Sequence, residues 1–139
     1  MKRVWISVGL IILMIAGCFA SQNYLNQVTK QLADVIYQAD QLAQEDNMSA
    51  SAELVYSSYR KWKEKESILG AIIRHQEMDQ IESLYLRALQ NANNQDKNEY
   101  LVQSKELQGL LLHLPDMELP KIKNLLRAAP QMPVLRSFR

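Results

Sequence analysis

The chain has 139 residues, with 16 Lys and Arg against 15 Asp and Glu and a formal net charge of +1. Charges so balanced, and spread along the chain, offer no basic stripe for nucleic acid. The single cysteine, Cys18, excludes an intramolecular disulfide and any zinc site built on several thiolates.

The first element is an anchor. Met1-Lys2-Arg3 is a short basic start, followed by an uncharged apolar run over residues 4–20. As a helix this run is roughly 25 Å long, near the lower limit for crossing a bilayer. Lys2 and Arg3 favour the cytoplasmic side, which sends everything after Ala20 outward. A second reading of the same stretch is a signal sequence. Ile15-Ala16-Gly17-Cys18 has the form of a bacterial lipobox, with Cys18 as the lipidation candidate. Phe19, and a helical pattern that starts almost at once, speak for the uncleaved helix. Both readings leave the chain on the outer face of a bacterial membrane.

Beyond the anchor the apolar spacing is helical throughout. Tyr24, Val28, Leu32, Val35, Ile36, Ala39 and Leu42 recur three or four apart, so residues 22–45 form an amphipathic helix. Asn47 or Ser49 caps the next helix, whose inner face carries Val55, Tyr59, Trp62 and Leu69. Trp62 is expected in the core, with the lysines around it on the wet side. That helix pauses near Gly70 and continues to about Asn91. Asn91 to Gln95 break the pattern, and Asp96 with Glu99 has the form of a capping box for a helix ending at Pro115. Pro120 opens a last short helix through Leu126. The expected organisation is an anchor over residues 1–20, an all-α, antiparallel up-and-down bundle of three to four helices over 21–127, and a mobile basic tail over 128–139. No internal repeat is visible.

One stretch departs from this pattern. On a helix running through residues 68–89, His75, Asp79 and Glu82 fall among Ile68, Ile72, Met78, Leu86 and Leu89. Glu106 and His113 stand seven apart on the next helix, the reverse of His75 and Glu82. An antiparallel hairpin would then pair His75 with His113 and Glu82 with Glu106. The expected role is a buried hydrogen-bond and ion-pair network that fixes register. The alternative is a metal- or ligand-binding sensor site, since imidazole and carboxylate suit divalent cations. Residues seven apart on a helix are about 10 Å apart, so the four cannot share one ion. Phosphate-loop, nucleophile-elbow and HExxH patterns are missing, and the reading is of a non-catalytic chain without cofactor.

His75-Gln-Glu-Met-Asp-Gln-Ile-Glu82, Glu106-Leu-Gln-Gly-Leu-Leu-Leu-His113-Leu-Pro-Asp-Met-Glu118 and Lys123-Asn124-Leu125, together with the Trp62 segment, resemble the domain of unknown function 4363 family. The resemblance spans nearly the whole chain, the apolar segment included. It implies a small membrane-anchored helical protein of spore-forming Firmicutes and a multi-pass membrane or envelope protein as partner, and it supplies no activity. Cys18 departs from the family's uninterrupted anchor. The resulting expectation is an extracytoplasmic interaction or support module, held at the membrane by its N-terminus.

Overall fold

The computed structural model describes residues 2–117. The short helix expected from Pro120 and the tail expected over 128–139 lie outside the described residues. Four helices follow one another: α1 (Lys2–Gln44), α2 (Met48–Leu69), α3 (His75–Asn93) and α4 (Lys97–Met117), with no strand among the described residues. α1 packs on α2 and α4, and α3 packs on the same two, so α1 and α3 occupy opposite corners of an up-and-down four-helix bundle.

Each helix contributes one apolar stripe at helical spacing. α1 gives Leu25, Leu32, Ile36, Ala39 and Ala43; α2 gives Val55, Trp62 and Leu69. α3 gives Met78, Ile81, Leu84, Tyr85 and Ala88, and α4 gives Tyr100, Leu107, Leu111 and Leu114. Each fully buried Leu, Ile or Val side chain among them contributes about 1.5–3 kcal/mol over leaving it exposed. Small and large residues interlock. Ser51 and Ser58 are fully buried on α2, while α3 and α4 bring in the bulky Tyr85 and Tyr100. Trp62 is fully buried, its ring 6.4 Å from that of Tyr85.

α1 is a single 43-residue helix, continuous from the apolar N-terminal run into the bundle. Only its second half packs. Every residue over 4–20 is exposed, and this is the one helix among those described that is long and apolar enough to cross a membrane.

The two hairpin turns use one device. After α1, the Asp46 amide bonds to the Ala43 carbonyl and the Asn47 amide to that of Leu42. After α3, the Gln95 amide bonds to Ala92 and the Asp96 amide to Asn91. Both are Schellman closures, with Asp46 at φ 62° and Gln95 at φ 59° in the left-handed region. Each turn then starts the next helix with a side-chain cap. Asn47 Oδ1 accepts from the Ala50 amide at 3.2 Å, and Asp96 Oδ1 from the Glu99 amide at 3.2 Å. This match is a repeat of backbone geometry that residue identities do not announce.

Two boundaries differ from expectation. The pause at Gly70 is a full break: α2 ends at Leu69, and α3 restarts at His75 after residues 70–74. A Cβ at Gly70 would lie 3.1 Å from the Glu66 carbonyl oxygen, a tight approach that glycine avoids. Pro115 does not stop α4, which continues to Met117. In the last turn a proline removes one amide donor with little helix left to disrupt. Its own carbonyl accepts from Gln22 Nε2 at 2.6 Å, tying the end of α4 to α1.

Candidate functional site

The five seam residues do not form the expected buried set. His75, Asp79, Glu106 and His113 are exposed and Glu82 is half-buried. No hydrogen bond or ion pair joins any two of the five. Glu106 and His113 lie off the buried α4 stripe of Tyr100, Leu107, Leu111 and Leu114, and for His75 and Asp79 the reason is the break at residues 70–74. A helical phase carried from Ile68 through to Leu89 is interrupted there, so α3 presents Met78, Ile81, Leu84, Tyr85 and Ala88 inward, while Ile68 and Leu86 are exposed. Among the described residues no group of three or more His, Cys, Asp or Glu side chains is placed to hold a metal ion.

The polar groups that do converge form two clusters. The first lies between α2 and α3. Tyr59 donates its hydroxyl to Glu82 Oε1 at 3.0 Å, and Lys63 Nζ donates to the same oxygen at 3.2 Å and to Glu66 at 2.9 Å. Beneath them the Ser58 and Tyr85 hydroxyls share a hydrogen bond of 2.8 Å, and the Tyr59 and Tyr85 rings are 5.6 Å apart. The Tyr59 and Lys63 hydrogen bonds hold the Glu82 carboxyl below its ordinary value. Burial pushes the Tyr85 phenol up, against the Ser58 hydrogen bond. Glu82 is thus the one seam residue in a network, and its partners come from α2 rather than α4.

The second cluster joins α1, α2 and α4. Asp40 is buried, and its carboxylate meets only Lys105, Nζ to Oδ2 3.3 Å. The Tyr100 phenol is near Asp40, Ser51 and Ser104, yet none of them meets it in hydrogen-bond geometry. Asp40 Oδ1, Ser51 Oγ and the Tyr100 hydroxyl are buried without a hydrogen-bond partner among the described residues. Burial pushes the Tyr100 phenol up, the Ser51 hydroxyl opposes this, and the Asp40 charge adds to it. Sequence reading passed over Asp40, although it stands on the α1 stripe, four residues after Ile36 and three before Ala43. That position was the available signal.

No histidine or cysteine enters either cluster, and their carboxylates are held by lysines. What they do is pair helices: Glu82 fixes α3 on α2, and Asp40 with Lys105 fixes α1 on α4.

A second kind of site is defined by α1 itself. Its exposed apolar half leaves the bundle beside Gln22 and Pro115, at the end that also carries residues 70–74. Cys18 is exposed there.

A family model described as a domain of unknown function (DUF4363) matches residues 19–125. The match begins after Cys18, so the resemblance does not extend over the apolar segment as expected. No curated protein and no solved structure matches the chain.

Proposed function

We propose that this chain, which belongs to the DUF4363 family, is an extracytoplasmic helical module tethered to a membrane, binding or supporting a membrane or envelope partner without catalysing a reaction. One observation carries the reading. A single helix joins an apolar segment with no buried residue to a closed four-helix core. Seventeen residues without a charge, all exposed over 4–20, gain far more from lipid than from water. Lys2 and Arg3 set the orientation. The core is filled by its own side chains, which favours recognition at the surface over chemistry within.

A reporter active only in the cytoplasm, fused after Arg139, is the test of sidedness. It should be silent, and strong activity would overturn the outward placement. Cys18 offers a second route to the same tether, because it is exposed and stands at the end of the apolar run. Radiolabelled palmitate should then enter the wild-type chain and not Cys18→Ala. Labelling of neither chain leaves the uncleaved helix as the tether. The partner is sought by crosslinking in intact membranes and co-purification. Recovery of the chain alone, under conditions that retain known membrane complexes, counts against the support role.

A further inference from the structure

The bundle has two unlike ends. The end away from the anchor holds the turns at residues 45–47 and 94–96, with Glu45, Asp46, Asp96 and Glu99 on or beside them. The end beside the apolar run holds residues 70–74, where no acidic residue occurs between Ser67 and Gln76, and the last turn of α4, where Asp116 is exposed. Exposed apolar surface gathers there: Ile68 is 54% exposed, Ala71 is exposed, and Ile72 is half-buried. Arg74 stands at the edge, paired to Glu77.

The height of this end relative to the apolar run follows from cross-helix contacts. Gln22 meets Pro115, and Lys65 Nζ lies 5.6 Å from the centre of the Tyr24 ring. α2 runs antiparallel to α1 and continues four residues past Lys65 to Leu69, a rise of about 6 Å towards the anchor. Residues 70–74 therefore stand about level with Ala20, the last residue of the apolar run. Phe19, 68% exposed, is in the same layer. Because α1 is one unbroken helix, a tether through it brings this layer to the headgroups. Apolar side chains with one arginine at their edge suit that layer, where carbon meets lipid and the cation meets phosphate.

We infer that the α2–α3 connection, through Ile68, Ala71 and Ile72 with Arg74, seats the bundle on the lipid surface, so that the module stands on the membrane at two points. This rests on the tether reading given above. Single nitroxide labels at Leu13→Cys, Ala71→Cys and Asn94→Cys, in the full chain with Cys18→Ser reconstituted in phosphatidylcholine vesicles, separate the two claims. Collision with oxygen and with a water-soluble nickel chelate reports depth. The label at 71 should show several-fold more oxygen and less chelate contact than that at 94, with the label at 13 deeper still. Adding Ile68→Asp should move the label at 71 towards the values seen at 94. If the label at 13 is in lipid while that at 71 matches 94, the seat is wrong and the tether stands. If the label at 13 is in water, both fall. An unchanged label at 71 in the Ile68→Asp chain also overturns the seat, because the named apolar surface would not be what holds it.

Discussion

The Glu82 and Asp40 clusters are built from the same residue types and reach opposite outcomes. Glu82 is half-buried, and its carboxylate takes hydrogen bonds from both Tyr59 and Lys63. Asp40 is almost wholly buried and takes one lysine contact, while Tyr100 and Ser51 beside it leave hydroxyls unpaired. A carboxylate at the rim keeps part of its hydration and needs few partners; one in the core has given its hydration up and needs all of them. The lesson is that position on the stripe, more than residue type, decides how many partners a polar group needs to hold a helix pair together.

Apolar packing sets the scale against which both clusters are measured. Trp62→Ala should lower unfolding free energy by about 3–5 kcal/mol, read by denaturant titration of the full chain in detergent. A loss below about 1 kcal/mol would mean the ring is not in a packed core. Next in size is the Asp40 pair. Lys105→Ala strands a buried carboxylate and should lose about 1–3 kcal/mol, the lower part because the lysine is itself largely exposed. The double change Asp40→Leu with Lys105→Ala should recover most of that loss. Equal losses in single and double variants would show the pair is not coupled.

Tyr100→Phe removes a buried hydroxyl that has no hydrogen-bond partner, so at neutral pH it should change stability by less than about 1 kcal/mol. Its signature is alkaline. The folded phenol sits above its unfolded value of 10.0, so its contribution is whole below that value and is lost as pH rises towards the folded one. The variant should lose less stability than wild type above about pH 10. Glu82→Gln should have the smallest effect, under about 1 kcal/mol, because the site is near the surface. Its signature is acidic. The folded carboxyl lies below its unfolded value of 4.5, so the contribution is present above that value and lost as pH falls through the folded one. The gap between wild type and Glu82→Gln should therefore close in acid. A gap that persists there would assign Glu82 a packing role.

Most of the architecture was legible because it is periodic. The α1 stripe, the inward Trp62, the Asn47 cap and the Asp96 cap follow from spacing and from the short polar residues that end helices. What was illegible depended on phase. Five residues at 70–74 reset α3, and reading through them placed His75 and Asp79 in a core they do not enter. Asp96 and Glu99 supply only half of the expected box, since the Asp96 amide is already bound to Asn91 in the Schellman closure. The Asp40–Tyr100 approach joins residues far apart in the chain, and nothing local to either announces the other.

The continuity of α1 fixes a rotation as well as a height. The core stripe Leu25, Leu32, Ile36 and Ala43 determines which way the helix faces, and a turn of about 100° per residue carries that setting back along the apolar segment. Ser7, Ile11, Met14 and Cys18 then continue the azimuth of the core, while Trp5, Gly9, Ile12 and Ala16 face the other way. For the tethered chain these are two different membrane neighbourhoods. A neighbouring helix against the first set lies underneath α2, α3 and α4, where the whole module is overhead. One against the second set stands behind α1 and meets no other part of the protein. Two inserted residues, turning the apolar segment by about 200°, would exchange the two sides without touching a single contact in the core.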